Sequence, residues 1–238
     1  MDGLPTIGFT RCFFGVARRD VTAPIGIYAR AWGAARHDTA AGVHRPLTAT
    51  AAWLAPLDAA TSPPLAVVAV DIGNLPDRRT TQTMRAAILA ATGLADEALL
   101  LAMSHTHAGP RVNLQQADRP GGDLIAPYIE HLTAALIAAL LEARDSTRPA
   151  WLTAGYGRCN LAAERDFWAP DLGRFVCGTN PHAAADDTVA VVRVSDDDGS
   201  VIATFVNYAC HPTTLAWENQ LLSPDYVGAM REVVERIS

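Results

Sequence analysis

Two histidines one residue apart close an apolar run in "LLLAMSHTHAGPR" (99–111), and a third closes another in "VIATFVNYACHPTT" (201–214). Imidazole is the commonest metal ligand and the side chain that titrates nearest neutral pH. Two imidazoles converging at a strand end suit zinc, which takes neutral histidine nitrogen. Side chains at i and i+2 of a strand share a face, so His105 and His107 are expected to project together. The plainer alternative is a hydrogen-bonded pair in a turn. His211 precedes Pro212, which holds its backbone extended, and Thr213 and Thr214 can hydrogen-bond locally. Taken alone, His211 reads equally as a core histidine and as a functional one. Two strand-end motifs in one chain favour the functional reading of both, because ligands bind at strand ends of α/β sheets.

Other polar residues offer less. Asp71 ends the apolar run "LAVVAV" and either orients a ligand histidine or caps the next turn. Arg165, in "CNLAAERDFW", could clamp a carbonyl or carboxylate; its spacing alone reads as a solvated loop charge. Cys210 and His211 are adjacent, so on a strand they face opposite sides, which weakens a cysteine hydrolase reading. His44 and Arg45 suit a surface loop, His131 an exposed helix face, and His37 and His182 loops without an evident partner.

The elements that must position these residues can be read from the pattern. "CFFGVA" (12–17), "LTATAAWL" (47–54) and "LAVVAVD" (65–71) read as strands, the last covered on both faces. "DRRTTQTMRAAILAATG" reads as a helix capped by Asp77 and closed by Gly93, with Met84, Ala87, Ile88 and Ala91 on its apolar face. "ALLLAMS" (98–104) follows as a strand, giving a parallel βαβ pair. Residues 123–146 form the longest helical stretch, with Ile125, Ile129, Leu132, Leu136 and Leu140 in one stripe. "AWLTAGYGR" (150–158) is a strand, and 159–187 reads as irregular. "TVAVVRV" and "VIATFVNYA" flank "SDDDG", a hairpin signal. Ser223 and Pro224 read as N-cap and first residue of a last helix, with Val227, Met230, Val234 and Ile237 as a stripe that needs covering. The expected fold is therefore α/β, with mixed, largely buried β-sheets flanked by helices in a sandwich-like arrangement. The last stripe needs a surface to cover it, so the fold is expected to be incomplete within residues 1–238.

Composition narrows the chemistry. The chain has 238 residues, half of them hydrophobic, and a formal net charge of -6. No basic concentration suggests nucleic acid. All 19 residues in the lysine-plus-arginine count are arginines, so Schiff-base and phosphate-loop lysine chemistries are excluded. The start is not expected to be a secretory signal, no transmembrane segment is expected, and the expected default location is cytoplasmic. Cys12, Cys159, Cys177 and Cys210 lack metal or redox spacing and are expected to be reduced core thiols.

The motifs "GVARRDVTAPIG", "AVDIGNL", "SHTHAGP", "CNLAAERD", "DDTVAVVRV" and "NYACHPTTL…SPDYVGAMREVVE" resemble, in the same order, the N-terminal catalytic domain of the neutral/alkaline ceramidase family. The resemblance runs along nearly the whole chain and is nearer to shorter bacterial relatives than to the secreted ceramidases. Those have His-Gly-Thr-Ser where this chain has His211-Pro212-Thr213-Thr214. It implies a zinc amidase that splits the amide of an N-acylated sphingoid base, a lipid-like substrate. It implies His105 and His211 as zinc ligands, His107 as a neighbouring acid/base or substrate contact, and Arg165 as an active-site arginine. Glu164 stands where the family has asparagine, and Ala108 where serine is common. The family's glutamate and tyrosine zinc ligands come from the second half of its catalytic domain. The resemblance thus implies that residues 1–238 are the N-terminal part of a larger catalytic domain, the front half of a family member, with a complementing C-terminal half or a second copy as partner. The other-class alternative is an inactive or partial module that binds lipid or a partner without catalysis.

Overall fold

The computed structural model describes residues 8–238; the part of the N-terminal reading that falls on residues 1–7 lies outside them. Among the described residues, eleven strands and three α-helices follow in chain order. They are β1 (Phe9–Asp20), β2 (Gly42–Val43), β3 (Thr48–Ala55), β4 (Leu65–Val70), α1 (Arg78–Thr92), β5 (Leu99–Met103) and α2 (Ile125–Asp145). Then come β6 (Arg148–Arg158), β7 (Asp166–Ala169), β8 (Arg174–Cys177), β9 (Thr188–Ser195), β10 (Val201–Tyr208), β11 (Leu221–Leu222) and α3 (Tyr226–Ile237). The fold is mixed α/β. It divides into a larger unit, Arg11–Ala150 with Pro212–Ser238, and a smaller one, Trp151–His211 with the start of β1.

In the larger unit the strands run in the order β1-β3-β4-β5. β1 pairs antiparallel with β3, and β3 antiparallel with β4. β4 and β5 pair in parallel, as the βαβ reading requires. Helix α1 makes that crossover. The Asp77 carboxylate accepts the backbone N–H groups of Arg79 and Thr80, and Gly93 ends the helix in the left-handed region at φ 73°. Its buried face is Met84, Ile88 and Thr92; Ala87 and Ala91 are exposed, because the larger side chains one turn apart claim the core. The whole expected stripe of α2 is buried: Ile125, Ile129, Leu132, Leu136 and Leu140.

The Gly122–Asp145 stretch is long and apolar enough to cross a membrane by length and composition alone, a test that core helices also pass. In the fold it is a core helix lying on β3 and β4. Close approach of α2 to β1 requires Gly15, since a Cβ there would sit 1.8 Å from the Ala143 carbonyl oxygen. The sheet is not covered on both faces as "LAVVAVD" suggested. Ala66, Val68 and Val70 are buried, whereas Leu65 and Ala69 are exposed. The edge strand β5 exposes Leu100.

In the smaller unit β6, β9 and β10 form antiparallel neighbours. The Asp198-Gly199 turn is confirmed, with Gly199 at φ 84° and the Asp196 carboxylate accepting from Asp198 and Ser200. The stretch expected to be irregular holds the β7–β8 hairpin, whose turn closes through Gly173 at φ 60°. β10 is half-buried rather than buried. Of the four cysteines only Cys12 is buried; Cys159 and Cys210 are half-buried and Cys177 is exposed. Burial pushes the Cys12 thiol pKa up, which fits an inert core thiol.

Candidate metal centre

The parallel ladder of β4 and β5 runs on past both strands. Ser104 N–H donates to the Val70 carbonyl at 2.9 Å, and His105 N–H to the Ile72 carbonyl at 3.1 Å. This seats His105 beside Gly73, whose carbonyl is in hydrogen-bond contact with the His105 Nδ1. A carbonyl can only accept, so Nδ1 carries the proton and the lone pair of the neutral ring lies on Nε2. Gly73 is held close: a Cβ there would lie 3.0 Å from the Thr106 carbonyl oxygen.

The two histidines converge, but not by strand alternation. β5 ends at Met103, and His105 sits at φ 60°, a left-handed conformation uncommon outside glycine. This turns the chain so that the rings of His105 and His107 lie 5.3 Å apart between centroids, at 80°. Between them Thr106 is buried, and its Oγ1 donates to the Ser223 carbonyl at 2.6 Å. The Ala108 N–H returns to Thr106 Oγ1 at 3.1 Å. Backbone strain of this kind persists where surrounding bonds over-determine it, and it clusters at functional sites.

His107 is half-buried. Trp32 lies against it, centroids 4.8 Å apart, and Trp217 meets Trp32 edge-on at 6.3 Å. A small open pocket here is lined by Trp32, His37, His107, Ala108 and Leu222 among others. The sequence reading missed Trp32 and Trp217 and gave His37 no partner. Nothing in their local spacing marks them, because the loop 29–40 and the segment 217–222 meet only in the fold. His107 N–H donates to the Pro212 carbonyl at 3.3 Å, so the chain on the C-terminal side of His211 is tied to the His107 turn.

Within the smaller unit, Arg165 is not the solvated loop charge its spacing suggested. It is half-buried, and its Nη2 contacts the His211 Nδ1. A guanidinium only donates, so Nδ1 accepts and the neutral His211 ring carries its proton on Nε2. Arg165 itself is fixed by its backbone. Its N–H and that of Asp166 both donate to Glu164 Oε1 at 2.9 Å, and its carbonyl accepts from Gly178 at 2.8 Å. The Asp166 and Arg165 amides, in that order, hold the Glu164 carboxyl below its usual pKa. β10 ends at Tyr208, so Cys210 and His211 both lie beyond the strand and the strand-face argument does not reach them. Tyr208 Oη donates to the Cys159 carbonyl at 2.9 Å and accepts from Ala162 N–H at 2.8 Å; burial first, then hydrogen bonding with the Cys159 side chain, raises its pKa.

Asp71 neither orients a histidine side chain nor caps a turn. It is fully buried, and both its oxygens are taken by Arg231 of α3, Nη1 to Oδ1 at 3.0 Å and Nη2 to Oδ2 at 2.6 Å. Thr48 adds its N–H at 2.8 Å and Oγ1 at 3.1 Å. A buried carboxylate needs such full pairing. Ser223 is not the N-cap of the last helix. That role falls to Asp225, whose carboxylate accepts the Tyr226 N–H at 2.6 Å, while Ser223 Oγ accepts from Asp225 N–H and contacts His44 Nδ1, each at 3.1 Å. His44 stays exposed, as does His131.

No family model matches the chain, and no curated protein matches it in sequence. Solved structures do match. "Ceramidase complexed with C2" is 22% identical, with a TM-score of 0.67 over 90% of this chain and 33% of that one. The neutral ceramidase from Pseudomonas aeruginosa is 23% identical, with a TM-score of 0.62 over 94% of this chain and 35% of that one. The chain spans about a third of the length of these ceramidases. At such identities the likeness is one of fold, and the fold of this chain is ceramidase-related over nine-tenths of its length.

Proposed function

We propose that the chain carries a zinc centre of the neutral ceramidase kind, which hydrolyses the amide of a lipid-like N-acyl amine to fatty acid and amine. His105 and His211 would hold the metal, with His107 as its acid/base neighbour and Arg165 as a clamp. The observation that carries this reading is His105 itself. Its Nδ1 bond to the Gly73 carbonyl leaves the lone pair of the neutral ring on Nε2, and its ring stands 5.3 Å from that of His107 between centroids. Main-chain carbonyls commonly set ligand histidines in this tautomer. His211 fits after one adjustment. Ligation through Nε2 requires its proton to leave that nitrogen and Arg165 to release Nδ1.

Zinc supplies Lewis acidity, polarising a carbonyl and making a water acidic at about pH 7. His107, half-buried against Trp32, would take the proton of the attacking water and return it to the leaving amine nitrogen. Arg165, once off His211, would donate to the carbonyl oxygen as negative charge develops there. The test is hydrolysis of a short-chain N-acyl sphingoid base by the purified chain with zinc. Fatty acid release that is abolished by a chelator, and cut about 100-fold or more by His107→Gln, supports the reading. Release indifferent to chelation or to His105→Ala contradicts it.

A second reading is favoured by the span of about a third of the matched ceramidases. In it the chain binds lipid or a partner without turnover, and catalysis needs a complementing C-terminal half or a second copy. Lipid binding without hydrolysis by a folded, zinc-loaded chain would favour it. A monodisperse monomer with amidase activity would exclude it. Cytoplasmic residence belongs with these proposals.

A further inference from the structure

Asp225 is 4% exposed and stands at φ 59°, ψ -147°, a region that is essentially glycine territory. An aspartate kept there invites the question of what its side chain does. Oδ1 accepts the Thr214 hydroxyl at 2.6 Å, the Thr214 N–H at 3.2 Å and the Tyr226 N–H at 2.6 Å. Oδ2 accepts the Leu215 N–H at 3.1 Å. Capping α3 accounts for one of these four bonds; the other three reach back to the segment that follows Pro212.

These bonds close a ring within the larger unit. Asp225 N–H reaches Ser223 Oγ. Ser223 N–H donates to the Ala108 carbonyl at 2.9 Å, and the Ser223 carbonyl accepts from Thr106. His107 N–H reaches the Pro212 carbonyl, and Thr214 and Leu215 lead back to Asp225. Segments 106–108, 212–215 and 223–226 are thereby cross-tied.

We infer that Asp225 is a positioning residue for the histidine site, its carboxylate fixing the segment 212–215 against which the His107 turn is seated. The consequence for metal binding rests on the zinc reading above; the consequence for backbone order does not. Asp225→Gly relieves the backbone conformation and removes the carboxylate, while Asp225→Asn keeps the Oδ1 acceptor. Amide hydrogen exchange on the metal-free chain separates the roles. In Asp225→Gly, exchange at His107 and Ser223 should rise about tenfold or more, with Val68 in β4 unchanged, and Asp225→Asn should restore part of the protection. Zinc affinity, read by chelator competition with zinc alone, should fall by about 10- to 100-fold in Asp225→Gly.

Wild-type exchange rates at His107 and Ser223 in Asp225→Gly overturn the inference and leave Asp225 a plain turn residue. So does a loss of protection spread equally to Val68. If Asp225→Gly fails to fold, Asp225→Asn decides alone: faster exchange at His107 with Val68 unchanged supports the inference, and no change overturns it. A wild-type chain that binds no zinc refutes the metal reading and leaves the exchange result to stand by itself.

Discussion

At the scale of single residues, proton placement decides what each histidine can do. The Gly73 carbonyl fixes the His105 proton on Nδ1, and the Arg165 guanidinium fixes the His211 proton on Nε2. The first arrangement readies a ligand; the second competes with one. Arg165→Ala should therefore tighten zinc binding by about tenfold, the worth of one charge-assisted hydrogen bond, while slowing any amide hydrolysis. Isothermal titration with zinc reads the first effect, and unchanged or weaker binding counts against the competition. The histidines were legible in the sequence because apolar runs end on them. The reason they converge was not, because a left-handed His105 is set by contacts with Gly73 and by the buried Thr106 rather than by its neighbours in sequence. Asp225 was passed over for Ser223 on similar grounds. Both types cap helices, and only the packed loop 212–215 selects between them.

At the scale of elements, what is local was readable. α1 begins and ends where Asp77 and Gly93 stand, since each cap acts on the adjacent turn. The hydroxyl and N–H of Thr80, with the Arg79 N–H, hold the Asp77 carboxyl below its ordinary pKa. A carboxyl depressed in the folded state contributes stability above its unfolded value and loses it as pH falls through the folded one. Asp77→Ala should accordingly melt below wild type at neutral pH, and the gap should close as pH drops below about 3.9. Thermal melts at both ends of that range check it, and a gap independent of pH rules out the carboxylate as the cause. The β7–β8 hairpin shows the opposite case. Its strands are short, and its turn, Pro170-Asp171-Leu172-Gly173, sits in a stretch so rich in turn residues that no single turn stands out. The alternating burial of β4 was likewise hidden, because an all-apolar strand gives no periodic signal of which face is covered.

At the scale of the whole molecule, α3 is pinned to the sheet by a pair separated by 160 positions, Asp71 and Arg231. No sequence pattern could have joined them. Arg231→Met would leave a fully buried carboxylate without its cation and should cost about 3–5 kcal/mol. Denaturant unfolding measures this, and a loss within about 0.5 kcal/mol would mean that the pair carries no such weight. The ceramidase-related fold, shared over 90% of this chain and 33% of the matched one, supplies the scaffold for the central claim, which is that its strand-end histidines hold zinc. The most direct measurement is the zinc content of the purified, folded chain after equilibration with zinc and removal of excess, with His105→Ala and His211→Ala beside it. The account predicts one zinc per chain, lost in either variant while melting stays within a few degrees of wild type. A well-folded wild-type chain that emerges without zinc, or variants that keep it, would contradict the account.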